Sequence, residues 1–285
     1  MRNVKLTLAY DATDFHGWQI QPGETTVQGV LRDTLRQITQ EDIVVHGAGR
    51  TDAGVHAWGQ VANFKTESRL GPSDFLRACN ALLPHTVRVR EAEEAGPDFH
   101  ARWSATAKTY RYRIHGGAVQ SPFGRRYALY EPRPLDFAAM GEAAAQFLGR
   151  HDFASFAASS GCEDVDRERD TVKDILQSEV LRTPLACALA AGDTAEDEWV
   201  YVVRGRSFLR YMVRKMVGTL LEVGLGRLAP SDIPSILERR DRASSGPTAP
   251  PHGLCLMSVE YAEVSAESAG EHSANAASAN AVVSR

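Results

Sequence analysis

Two hydrophobic periods alternate along this chain, one of two residues and one of about 3.6, and they do so in two successive blocks. Val4–Tyr10 alternates apolar and polar side chains and reads as a strand. Thr25 and Thr26 are suited to cap a helix in which Val27, Val30, Leu31 and Leu35 share a face. Ile43–Val45 reads as a short strand entering a glycine-rich loop, and Gln60–Lys65 as the strand that returns from it. Pro72–Leu83 reads as a helix, with Pro72 near its start and Pro84 just past its end. Thr86–Glu91 and Ala105–His115 are further strands. The second block reads as a helix over Pro134–Leu148, strands over Thr171–Leu181 and Trp199–Arg204, helices over Arg210–Leu225 and Ser231–Arg239, and a last strand over Leu254–Tyr261. A chain so patterned must bury one face of its strands against one stripe of its helices. The expected fold class is therefore α+β. No repeat is strong enough to establish duplication. The blocks suggest an N-terminal half over 1–105 and a C-terminal half over 106–262. The segment 263–285 is rich in Ala, Ser and Asn and cannot bury enough apolar surface to order itself.

With 285 residues and 43% hydrophobic content, the chain supports one large or two small units with a real core. Its first ten residues are too polar for a signal peptide, and no long apolar run predicts a membrane span. Cys79, Cys162, Cys187 and Cys255 are far apart and lack metal-ligand spacing, which suggests reduced thiols in the cytoplasm. The net charge of −4 argues against a nucleic-acid partner, but its distribution argues for one. Arg102, Lys108, Arg111, Arg113, Arg125 and Arg126 lie in a stretch without acids, as do Arg204, Arg206, Arg210, Arg214 and Lys215. Acids gather in Glu91–Asp98, Glu163–Asp170, Asp193–Glu198 and the tail.

The loop Gly47–Ala57 places Asp52 two residues from Arg50 among glycines. On its own chemistry this is either a surface turn with an incidental ion pair or the seat of a nucleophilic or charge-stabilising carboxylate. Gly224-x-Gly226-x-x-Ala229 matches a dinucleotide fingerprint, but it follows a helix and reads as a helix C-cap. The nine histidines show no metal spacing, so no metal is expected. Tyr10–Gln21 is a polar, aromatic loop, either a core aromatic cluster or a contact for unstacked nucleotides. On a strand, Lys108, Tyr110 and Tyr112 face one side, so that a tyrosine ring is placed to stack on a flipped base. The alternative is a half-buried strand with solvated arginines. Arg210 and Arg214, four apart on a helix, share a face. A cation there would pair with Asp52, lower its pKa and keep it ionised, unless the pair of arginines is only a solvated stripe.

In this order the motifs resemble the tRNA pseudouridine synthase A family over roughly residues 1–262. They are Tyr10-Asp11, Phe15-x-Gly17-Trp18-Gln19-x-Gln21, Gly49–Ala57, Phe99–Arg102, Tyr110–Tyr112, His151–Phe156, Phe208-x-x-x-Met212-Val213-Arg214 and Gly253-Leu254. The resemblance implies two RRM-like halves that form a mixed, largely antiparallel sheet, with helices packed on it and a central RNA-binding cleft. It implies that Asp52 is the catalytic aspartate, that Arg214 pairs with it, and that Tyr110 packs against the target base and takes part in the final proton transfer. It implies that Arg50 handles the flipped nucleotide and that Arg102, Phe15, Gln19 and Leu254 contribute to substrate binding. Homodimers acting on the anticodon stem-loop of tRNA, at positions 38, 39 and 40, are implied as well. Asp170 stands where the family often has Arg, and an acid there would repel phosphate.

Pseudouridine formation breaks the N1–C1′ bond, turns the base and joins C5 to C1′, with no net redox change and no hydrolysis. No cofactor is expected for it. One ionised carboxylate suffices, whether it attacks C1′, attacks C6 or removes a ribose proton. A non-catalytic RNA-binding protein would explain the basic and aromatic stretches but not an acid in the glycine loop. A glycosidase would ordinarily need two carboxyl groups, and the glycine loop supplies one, Asp52.

Overall fold

The computed structural model describes residues 1–158, 170–183 and 198–262. Its strands are β1 (Arg2–Tyr10), β2 (His46–Gly47), β3 (His56–Thr66), β4 (Val87–Ala95), β5 (Ala105–His115), β6 (Leu129–Tyr130), β7 (Gly149–Asp152), β8 (Val172–Thr183), β9 (Glu198–Gly205) and β10 (Leu254–Tyr261). They form one sheet in the order β4-β1-β3-β10-β5-β9-β8-β7, with β2 on β3 and β6 on β5. Pairings are antiparallel except β3 with β10 and β5 with β6. The β3–β10 seam holds only Cys255 opposite His56 and Leu256 opposite Ala57. It joins β4, β1, β3 and the short β2 to the rest of the sheet. The expected mixed, largely antiparallel α+β sheet is what the chain adopts.

Alternation sets the core. Val4, Leu6, Leu8 and Tyr10 of β1 point to one face and are fully or nearly buried. Helix α1 (Val27–Thr39) buries Val27, Leu31 and Leu35, and the Thr26 hydroxyl accepts a hydrogen bond from the Gly29 N–H at its start. Helix α2 (Pro72–Leu82) packs beside α1 and on β4. Helix α3 (Phe137–Ala145) packs on β8 and on α4 (Met212–Gly224), and α5 (Ile233–Arg239) follows. On the opposite face, residues 96–104 cross the sheet. Asn3 Nδ2 donates to the carbonyls of Gly96 and Phe99, the Ala101 N–H donates to Asn63 Oδ1, and the Tyr261 hydroxyl donates to the Ala101 carbonyl. This strap carries residues 100–104 to the rim of the cleft described below.

Several expectations need correction. The strand expected at Ile43–Val45 forms instead at His46–Gly47, and Val44 is exposed. The helix expected from Arg210 starts at Met212, because Tyr211 takes a left-handed conformation with φ 63°. The helix expected over Pro134–Leu148 covers Phe137–Ala145, capped by the Asp136 carboxylate on the Ala139 N–H. Strands β6 and β7 were not expected. At Gly224, α4 does end, and Gly226 has φ 71°, as the C-cap reading requires. Asp170 accepts bonds from the Val172 N–H and from Lys173 Nζ, so its charge is met locally. Cys162, Cys187, the acids of 163–169 and 193–197, and the 263–285 tail lie outside the described residues.

Candidate active site

The loop between β2 and β3 is pinned along its length. The Ala48 N–H donates to the Val61 carbonyl at 2.8 Å, and Gln60 Nε2 donates to the Gly49 carbonyl at 2.8 Å. The Thr51 carbonyl accepts from the Trp18 N–H at 3.0 Å, while its hydroxyl lies 2.8 Å from the Tyr10 hydroxyl. Gly17 sits directly beneath with φ 88°, and a Cβ there would come within 2.8 Å of the Thr51 carbonyl oxygen. Glycine is thus required twice over at that position, for its backbone angle and for contact. Phe15 lies in the core, 7% exposed, and its carbonyl accepts from the Gly54 N–H. It supports the loop from below and does not line the cleft.

The loop holds Asp52 with its side chain 18% exposed, facing α4. Arg214 Nη1 is 3.3 Å from Asp52 Oδ2, and Arg210 Nε is 4.0 Å from Oδ1. Arg214 is held from its other side, since Nε donates to the Ala249 carbonyl at 2.8 Å. That carbonyl is close because α4 presses on the 246–249 segment: a Cβ on Gly218 would stand 1.6 Å from the Pro247 carbonyl oxygen. Tyr211 completes the arrangement, with its ring 4.8 Å from the Arg210 guanidinium and 4.9 Å from that of Arg214. A left-handed tyrosine is costly, and here it aims two cations at one carboxylate.

Burial pushes the Asp52 pKa up, and the arginines only partly offset this, so the net shift is upward. The expected pairing is present and the arginines do lower this pKa, but desolvation outweighs them. Tyr110 is 8% exposed, with its ring edge-on to Phe208 at 5.1 Å. Burial and then the Asp52 charge drive its pKa far up, so the phenol keeps its proton. Its hydroxyl has no hydrogen-bond partner among the described residues.

Asp52, Tyr110, Arg214, Arg50 and Leu254 together line a small pocket of about 50 Å³, which shares its wall with an open cleft of about 880 Å³. Gln19 and Arg102 line the larger cleft. Gln19 Nε2 donates to Gln28 Oε1 at 2.7 Å. Arg50 is exposed and makes no ion pair among the described residues, so the pair suspected within the loop is replaced by the pair to α4. Lys108 also lines the cleft without an acidic partner among the described residues; burial and then Arg102 push its pKa down to about 8.

Some participants carried no signal in the sequence. Nothing in it marks Tyr211 as left-handed. His56 Nδ1 accepts the Ala12 N–H at 3.0 Å while Nε2 lies 2.9 Å from the Arg126 carbonyl, which fixes a neutral tautomer. Burial lowers its pKa accordingly. His56 thereby ties the loop after β5 to the start of β3.

An acid in a pinned loop, matched to Arg214 of α4 and to Arg210 just before it, is a site built across the β3–β10 seam. A model of the tRNA pseudouridine synthase family matches residues 9–104 and 143–262. A tRNA pseudouridine synthase A 1 from Desulfotalea psychrophila is 41% identical over 92% of this chain and 100% of its own. The tRNA pseudouridine synthase A of Caldicellulosiruptor saccharolyticus is 41% identical, and that of Solibacter usitatus 44%, each over 92% of this chain and 100% of its own. The chain belongs to the tRNA pseudouridine synthase family.

Proposed function

We propose that this protein isomerises uridine to pseudouridine at positions 38, 39 and 40 of the tRNA anticodon stem-loop, using Asp52 and no cofactor. The observation that carries this reading is Asp52 paired with Arg214 in a pocket walled by Tyr110 and opening into a cleft with Arg50, Arg102 and Lys108. A flipped uridine fits the chemistry of this pocket: an acid for the sugar or base, a flat ring against the base, and cations for the phosphates. The N1–C1′ bond breaks and C5 joins C1′ while N1 gains a proton and C5 loses one. The protein need supply only the carboxylate, a proton relay and the exclusion of water. In this reading the phenolic O–H of Tyr110, without a hydrogen-bond partner among the described residues, bonds to the base and relays its proton. Arg214 opposes the effect of burial on Asp52 and favours its ionised form.

The functional unit in this reading is a homodimer in the cytoplasm, built of halves 1–105 and 106–262 that meet at the β3–β10 seam. No helix among the described residues is long and apolar enough to cross a membrane. The test is incubation of the purified protein with an unmodified tRNA transcript, followed by carbodiimide mapping. Pseudouridine at 38, 39 or 40 supports the reading. An unchanged transcript, or release of free uracil, refutes it.

A further inference from the structure

A second feature of the cleft lies on its rim, away from the Asp52 pocket. Four side chains stand there in series: His46 and His100, with ring centroids 4.6 Å apart; Trp103, 5.7 Å from His100; and Arg102, whose guanidinium lies 4.5 Å from the Trp103 ring centre. All four line the same cleft as Asp52. Trp103 is 71% exposed, so its neighbours leave most of the indole open. A single exposed tryptophan needs no explanation. This one is held in place at the backbone. His100 Nδ1 accepts the N–H groups of Arg102 and Trp103, the His100 N–H donates to Ser104 Oγ, and the Ala101 N–H is fixed by the buried Asn63.

We propose that His46, His100 and Trp103 form a stacking platform for one unpaired base of the substrate RNA, a nucleotide other than the target uridine, with Arg102 facing its phosphate. The proposal rests on the reading of this protein as a tRNA-modifying enzyme and adds a subsite to it. Charge favours RNA as the occupant: Arg50, Arg102 and Lys108 line the cleft, whereas its acids are Asp52, paired with Arg214, and Glu24, paired with His16. His100 Nδ1 accepts two N–H groups, as a neutral imidazole does, and burial, then His46 and Arg102, lower its pKa in the same sense. Rings of this kind accept any base face, so the platform supplies affinity without demanding a sequence. A flipped target leaves its neighbours unstacked, and a rigid ring outside the catalytic pocket gives one of them a partner.

The test measures dissociation constants of anticodon stem-loop RNAs for the wild type, Trp103→Ala and Trp103→Phe. The RNAs carry a single abasic nucleotide at each loop position in turn. On intact RNA, Trp103→Ala is expected to bind roughly tenfold more weakly, with Trp103→Phe restoring most of the loss. The Trp103→Ala penalty is expected to vanish for one abasic position outside the target uridines. Intact-RNA affinity unchanged by Trp103→Ala, or a penalty equal at every abasic position, overturns the platform. Pseudouridine formation by the wild type is scored in parallel. Its presence confines such a failure to the platform, and its absence overturns the functional reading along with it.

Discussion

Replacing Arg214 by Gln removes the nearer of the two cations from Asp52 and leaves the carboxylate in its desolvated seat. With Nη1 3.3 Å from Oδ2, the pair is worth about 5 kcal/mol at an effective dielectric constant of about 20. Arg210 remains at 4.0 Å and water enters the space, so about half of that, or 2–3 kcal/mol, survives as a difference between the charged and neutral acid. This corresponds to about two pKa units, upward, because the charged form is the one that loses its partner. Burial already raises the Asp52 pKa in the intact protein. The activity needs the ionised acid, so the rate falls as pH drops through this pKa. In Arg214→Gln, that acid limb is expected about two pH units higher. The assay is single-turnover tritium release from 5-tritiated uridine in tRNA, with enzyme in excess, between pH 5 and 9, alongside tRNA affinity and thermal unfolding. An acid limb at the wild-type pH refutes the electrostatic argument. So does a variant that loses tRNA affinity but converts bound tRNA at the wild-type rate.

Gly218→Ala drives a Cβ into the Pro247 carbonyl, 1.6 Å away, and is expected to cost about 3 kcal/mol or more of stability, read as a lower thermal midpoint. Lys108, with a pKa pushed down to about 8, loses its charge between pH 7 and 9. The wild-type tRNA dissociation constant is expected to rise severalfold over that range and to stay level in Lys108→Arg; a rise equal in both variants contradicts this. Tyr110→Phe is expected to slow single-turnover conversion about a hundredfold with little change in tRNA affinity, as loss of a proton-transfer group does. A rate equal to the wild type would make Tyr110 a packing surface only.

Strands β5 and β10 were legible to the residue, because turn-forming residues mark them off: Gly116-Gly117 follows β5 and Pro250-Pro251-His252-Gly253 precedes β10. The short strands were not. The β-branched run Ile43–Val45 outscored His46–Gly47 on propensity, but pairing with β3 at Asn63 and Ala62 decided the outcome. At the site, the loop and its chemistry were readable from glycine and Asp spacing. Arg210 and Arg214 were readable as cations, but their geometry was not, since it depends on Tyr211 being left-handed and on α4 meeting Pro247. The cations that face Asp52 show in the sequence; the depth of its burial, which sets the net direction of its pKa shift, does not. His46 and His100, 54 residues apart, meet beside the strap that Asn63 and Tyr261 hold across the sheet.

The central claim is that Asp52 carries the chemistry while other residues carry the binding. The most direct test is Asp52→Asn, a change that keeps the shape of the side chain and removes its charge. The purified variant is expected to bind an unmodified anticodon stem-loop with near wild-type affinity and to form no pseudouridine in it, as read by carbodiimide mapping after single-turnover incubation. Pseudouridine formed at the wild-type rate by Asp52→Asn would contradict the claim.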